Sequence, residues 1–175
     1  MEKLLISEDE IEALYESNLI EGEDSAIALM DAIDAWLFAH NFHGDWSVRF
    51  VLKLHFVLMR RINSDIAGKL RNYDVWIGGN RKVFVSEELL RDELTSWIKT
   101  CDLENLVGLS DKAKWKKIRA WHIKFEEFHG FVDGNGRLGR LLMNIQLLNA
   151  GLPIFIIHSG REQYAYYDMF RTLKY

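Results

Sequence analysis

Residues 120–148 constrain this chain more than any other stretch. Ala120 to Phe128 reads as one helix, and Leu138, Leu141, Leu142, Ile145 and Leu148 recur at helical spacing in the next. Between and into them run twelve residues, His129-Gly130-Phe131-Val132-Asp133-Gly134-Asn135-Gly136-Arg137-Leu138-Gly139-Arg140. This is the pattern of an anion site beside a base. Gly134 and Gly136 allow backbone angles closed to other residues. Successive N–H groups, with Asn135 between them, then curl into a nest for phosphate oxygens at a helix N-terminus, where the dipole favours anions. Arg137 and Arg140, three apart, share a helix face, and both guanidinium forks suit phosphate. Asp133 is an oxygen ligand suited to Mg²⁺, which takes one or two carboxylates plus substrate phosphates. His129 titrates near neutrality and suits a general base.

The same letters match G-x-G-x-x-G at Gly134, Gly136 and Gly139. That dinucleotide fingerprint must follow a strand and open a βαβ unit. A helix precedes it here, so the dinucleotide reading fails on context.

The twelve residues closely resemble the signature of the Fic family, H-x-F-x-[DE]-G-N-G-R-x-x-R, at every fixed position. Gly130 stands where the family usually has proline, which predicts a looser loop. Trp121 to Phe128 looks like the helix that delivers the family's histidine, and the likeness runs on through Asn144 to Gly151-Leu152-Pro153. The resemblance implies a mainly α fold, one helical domain with a β-hairpin flap. It also implies AMP transfer from ATP to a Ser, Thr or Tyr hydroxyl of a target protein, possibly the chain itself. His129 would be the catalytic base, Asp133 the Mg²⁺ ligand, and Gly134, Asn135 (side chain included), Gly136, Arg137 and Arg140 the phosphate site. Phe131 would anchor the loop in the core.

Ser7 to Glu10 is a capping box before a helix ending near Gly22. Ser17-x-x-x-Glu21-Gly22 reads as an ordinary helix terminus with a surface Glu. In the Fic resemblance it looks like the inhibitory motif [ST]-x-x-x-E-[GN], which makes residues 1–23 an inhibitory helix ahead of a core at 24–175. A second helix, about Asp24 to His40, carries Ile27, Met30, Ile33 and Leu37 as its apolar stripe. Ser47 caps a third, Val48 to Ile62. His40, His43 and His55 lack metal-ligand spacing and read as packed or surface histidines.

Tyr73 to Ile77 and Arg81 to Val85 alternate as strands about a Gly78-Gly79-Asn80 turn. On residues alone this is a surface excursion. In the resemblance it is the flap whose edge, with Tyr73, Val75, Ile77, Val83 and Val85, pairs with an extended target segment. The layout Gly68-x-x-Arg71, hairpin, helix, signature helix also matches the family. Ser86 and Ser110 cap two further helices. Lys112, Lys114, Lys116 and Lys117 read as a solvated face, and His122 as structural. Ile154 to Ile157 read as buried. Tyr164, Tyr166 and Tyr167, on a last helix from Arg161 to Leu173, line either an adenine pocket or the core.

A chain of 175 residues with six Trp and ten Phe reads as one domain with a filled aromatic core. Net charge is −4, which does not favour non-specific nucleic-acid binding. The lone Cys101 forms no internal disulfide and fits a reducing compartment. Leu4-Leu5-Ile6 is too short for a signal segment and no apolar run reaches membrane-spanning length, so the expectation is a cytoplasmic protein without membrane partners. Other reactions on the same site are a kinase, transfer of another phosphate-containing group, or AMP removal by a Glu21-oriented water. A non-catalytic nucleotide-binding module is the alternative of another class.

Overall fold

The structure, a computed structural model, describes residues 6–77 and 80–171. Its order is α1 (Glu8–Ile20), α2 (Ala26–His40), α3 (Val48–Met59), β1 (Val75–Ile77), β2 (Asn80–Lys82), α4 (Glu87–Thr100), a short 3₁₀ turn (Leu103–Leu106), α5 (Asp111–Phe128), α6 (Asn135–Asn149) and α7 (Arg161–Arg171). The fold is mainly α with one small hairpin. No described helix is long and apolar enough to cross a membrane. The expected Gly78-Gly79 turn, the Leu4-Leu5 stretch and the last helix beyond Arg171 lie outside the described residues.

Serine starts the first five helices. Ser7, Ser25, Ser47, Ser86 and Ser110 each accept a hydrogen bond from the backbone N–H three residues on, and such a cap contributes about 1 kcal/mol. α6 departs from this rule. It begins at Gly134 with no side-chain cap, so its first N–H groups remain available.

α2 packs on α3, α5 on α6, and α1 against both α2 and α6. α6 is the most enclosed element, buried almost without break from Asn135 to Leu147. The expected apolar stripe of α2 is corrected: Ile27 and Met30 are exposed, while Ala28, Ala32, Ala35, Trp36 and Ala39 face inward. The alanines let α2 approach α3 closely. Asp31 is fully buried among them, because Arg61 donates to it through both its backbone N (2.9 Å) and its Nη1 (2.8 Å). α3 stops at Met59 rather than Ile62. Of Ile154 to Ile157 only Ile157 is buried.

The hairpin is shorter than its alternation predicts. Val75 pairs with Lys82 and Ile77 with Asn80, and the ladder ends there. Side chains close its base instead: Asp74 Oδ1 accepts from the Phe84 N–H at 2.7 Å, and its Oδ2 from Arg81 Nε at 2.8 Å. Tyr73, Val83 and Val85 are exposed but lie outside the strands. Val75 turns inward at 8% exposure, while Trp76, absent from the expected docking edge, stands out at 68%.

Candidate active site

α5 ends at Phe128, and His129 turns the chain with φ 44° and ψ 54°. It is the one non-glycine residue with positive φ among those described. That conformation costs about 1–2 kcal/mol, so its surroundings must hold it. The His129 N–H donates to the Phe125 carbonyl at 3.3 Å, and Nδ1 donates to the Glu126 carbonyl at 3.3 Å. This tautomer leaves Nε2 as an acceptor. Burial lowers the pKa of His129 below the ordinary histidine value, with Arg71 and Lys82 adding to the shift. The ring is therefore held neutral and able to take a proton.

Gly130 lies against the Phe128 ring. A Cβ at this position would overlap the Phe128 ring, so glycine is required by close packing. Phe131 is fully buried, as expected of an anchor, and stacks on His55 with centroids 3.9 Å apart. His55 is a packed histidine with a positioning task. Its Nδ1 accepts from the Gly68 N–H at 2.9 Å, which leaves Nε2–H to donate to the Asp133 carbonyl at 3.0 Å. Burial takes its pKa down to about 4, so it stays neutral.

The Asn135 side chain, expected at the phosphate, also holds the loop together. Its Oδ1 accepts from the Phe131 N–H at 3.0 Å, and its Nδ2 donates to the Phe131 carbonyl at 2.9 Å. That leaves one Nδ2 N–H and the Asn135 backbone N–H for an anion. The two glycines also differ. Gly134 has φ 76° and needs its conformational freedom. Gly136 sits in regular helix; it is small because the Glu21 carboxylate lies directly over it, where a Cβ would overlap Oε1.

Arg137 is buried and reaches Asp133 Oδ2 only at 3.4 Å through Nη2. Its Nε and Nη1 find no acceptor among the described residues. A buried guanidinium with unmet donors at an uncapped helix N-terminus is chemically suited to a multiply charged anion. Asp133 is 59% exposed on its side chain, and its Oδ1 accepts from the Gly134 N–H at 2.6 Å. No cluster of three or more His, Cys, Asp or Glu among the described residues is built to hold a metal alone. A single outward carboxylate beside a phosphate site fits Mg²⁺, which completes its shell with phosphate oxygens and water.

Arg140 is buried and fully engaged. Nε donates to Ser17 Oγ at 2.8 Å; Nη2 donates to the Ser17 carbonyl at 3.0 Å and to Glu21 Oε1 at 2.6 Å. Glu21 caps the C-terminal, electronegative end of α1 and points into the electropositive N-terminal turn of α6. Behind Arg140, Tyr166 OH lies 3.5 Å from Nη1 and 2.9 Å from His122 Nε2. Of the three tyrosines, Tyr166 thus belongs to the core, whereas Tyr164 and Tyr167 are exposed. Two of the lysines read as a solvated face have structural partners: Lys114 Nζ donates to the Ala150 carbonyl at the end of α6 and Lys117 Nζ to the Asn105 carbonyl.

A model of the Fic/DOC family matches residues 45–147, which include α3, the hairpin and the whole loop from His129 to Arg140. The chain belongs to the Fic/DOC family. Protein adenylyltransferase Fic of Aedes aegypti is 30% identical over 158 residues, 89% of this chain and 29% of that protein. Its namesake in Drosophila melanogaster is 29% identical over 124 residues, 70% of this chain and 24% of that one. The chain thus spans less than a third of the length of these curated relatives. Among solved structures, Fic-1 from C. elegans superposes with a TM-score of 0.75 at 20% identity, covering 96% of this chain and 56% of that one. A Fic domain containing signaling protein from Bacteroides thetaiotaomicron gives 0.70 at 21% identity, covering 92% and 70%. These two likenesses establish the fold. Ser17 and Glu21 lie outside the residues that the family model matches.

A reading of the sequence assigns no task to three residues of this Fic site. His55 and Glu126 are ordinary letters in helical patterns, and Arg71 enters only through the Gly68-x-x-Arg71 layout. Their tasks come from contacts made in the fold, which have no local signal in the sequence.

Proposed function

We propose that this protein transfers AMP from ATP to a hydroxyl side chain of a protein target, and that Glu21 restrains the reaction. The observation that carries this reading is the pairing of a neutral, oriented His129 with the unmet Arg137 donors at the uncapped start of α6. His129 Nε2 takes the proton as the hydroxyl oxygen attacks the α-phosphorus. The bond from that phosphorus to the bridging oxygen breaks, and pyrophosphate leaves with the negative charge. Arg137 and the first N–H groups of α6 stabilise that charge, as phosphoryl-type transfers require. Asp133 would hold Mg²⁺, which offsets phosphate charge when bound.

Arg140 is the remaining cation for the leaving phosphates, and Glu21 occupies it. One guanidinium fork cannot satisfy the carboxylate and a γ-phosphate together, and the carboxylate repels phosphate from the nest. ATP then binds with its α-phosphorus misaligned, and a displacement of about 1 Å costs on the order of 10²-fold in rate. AMP removal by a Glu21-oriented water is a second reading, favoured by the position of the carboxylate over Gly136.

The test is label transfer from Mg²⁺ and ATP carrying α- or γ-label, with cell lysate, for wild type, Glu21→Gly, and Glu21→Gly with His129→Ala. Transfer of α-label alone is expected, raised by Glu21→Gly and abolished by His129→Ala. Transfer of γ-label would replace this reading with a kinase. Equal wild-type and Glu21→Gly rates would remove the restraint.

A further inference from the structure

Arg71 lies between the base and the hairpin and is 1% exposed. Its Nε donates to the His129 carbonyl at 3.0 Å. Its Nη1 donates to the Tyr73 carbonyl at 3.0 Å and reaches that of Lys82 at 3.5 Å, and its Nη2 donates to Val83 at 3.1 Å. Its own backbone N–H donates to the Gly130 carbonyl at 2.8 Å. Two consecutive carbonyls of the strained turn at His129 and both sides of the hairpin thus converge on one residue.

We infer that Arg71 is a positioning residue that joins the His129 turn and the hairpin into one mechanical unit, so that the edge offered to a protein target keeps a fixed distance from the base. The guanidinium is suited to this. Its donors are coplanar and fixed relative to one another, so carbonyls from separate segments are held in one frame. A lysine ammonium is a single point of charge on a flexible stem and cannot span them. The arrangement also explains how His129 keeps a conformation with a standing cost: Arg71 grips the peptide on its C-terminal side. The hairpin needs the same grip, because its ladder has only three residue pairs, too few to stand alone.

The catalytic consequence rests on the AMP-transfer reading; the mechanical one does not. Hydrogen exchange is therefore measured on the whole chain, with no substrate, for wild type, Arg71→Lys and Asp74→Asn. Asp74 closes the hairpin base without touching the loop, so Asp74→Asn loosens the hairpin while leaving Arg71 in place. The expected result is exchange at least tenfold faster both in peptides over 73–85 and in peptides over 129–135 for each variant, with α2 and α4 unchanged. A hairpin that loosens in Asp74→Asn while 129–135 keeps its wild-type exchange overturns the inference, even if Arg71→Lys fails to fold. Transfer of α-label is then compared in the Glu21→Gly background. Arg71→Lys should lower kcat on the order of 10²-fold and leave the KM for ATP within about threefold. Coupled exchange without any label transfer, in parent or variant, would leave the clamp standing and remove the AMP-transfer reading. A rise in the KM for ATP with kcat unchanged would make Arg71 a nucleotide-site residue and overturn its positioning role.

Discussion

The Glu21 carboxylate occupies the space in which a side chain on Gly136 would begin. The two residues are therefore coupled although they share no hydrogen bond. Gly136→Ala should destabilise the wild-type protein by about 1–2 kcal/mol, because the carboxylate must leave its place beside Arg140. In the Glu21→Gly background the same change should cost less, because only the Arg140 Nη1 contact at 2.9 Å remains to be relieved. Denaturant unfolding of the four proteins measures the difference, and additive effects would place Glu21 elsewhere.

The acid limb of the transfer rate should fall below pH 6.5, the ordinary histidine value. Burial lowers the pKa of His129, so the neutral base survives to lower pH than a solvated imidazole would. The measurement is kcat/KM against pH for Glu21→Gly, which reports the base in the free enzyme. A limb at or above 6.5 would mean that another group takes the proton.

Glu126 and His122 lie 4.0 Å apart behind Arg140, the His122 side chain fully buried and that of Glu126 15% exposed, and Glu126 Oε1 and His122 Nδ1 have no hydrogen-bond partner among the described residues. Burial raises Glu126 from 4.5 to about 7 and lowers His122 from 6.5 to about 3. Between about pH 4.5 and 7 the folded protein holds more of the Glu126 proton than the unfolded chain does, so this contribution to stability is lost as pH rises. His122 acts in the opposite sense, its contribution being lost as pH falls below 6.5. Glu126→Gln removes the first effect only. Relative to wild type it should gain on the order of 2–3 kcal/mol between pH 5 and pH 8. Urea unfolding at the two pH values checks this, and parallel behaviour would show that Glu126 is ionised throughout.

Val75 and Trp76 should separate the hairpin's packing from its docking. Val75→Asp buries a charge and should cost about 2–4 kcal/mol. Trp76→Asp should leave stability within about 0.5 kcal/mol, and nucleotide binding intact, while modification of a protein target falls. Thermal unfolding and label transfer run side by side distinguish them. Undiminished transfer by Trp76→Asp would take this face of the hairpin out of docking.

The loop from His129 to Arg140 was legible because anion chemistry concentrates its residues in one contiguous run. The starts of α1, α3, α4 and α5 were legible through their serines, whereas Ser25, the cap of α2, was not singled out. The inward face of α2 was not: large apolar residues were expected inside, whereas close helix approach placed alanines there and left Ile27 and Met30 in solvent. The loop-holding task of the Asn135 side chain was not legible, because its two hydrogen bonds to Phe131 exist only in the folded loop. Ser17 and Glu21 came through family likeness alone, for nothing local tells a restraining carboxylate from a surface one.

The contact between Glu21 and Arg140 joins residues 119 positions apart. The α5–α6 pair that carries the base and the nest is local, joined by a short loop, and needs little chain closure to form. Contacts of such different range differ in when they form, because the long closure must be made before any contact offsets it. The site should therefore assemble early and acquire the proposed restraint last. In the native protein the order should reverse, with α1 undocking before α5 and α6 unfold, which hydrogen exchange over residues 8–20 against 111–149 measures. Catalytic competence would then be set by a fluctuation of the folded state, on a timescale separate from global unfolding.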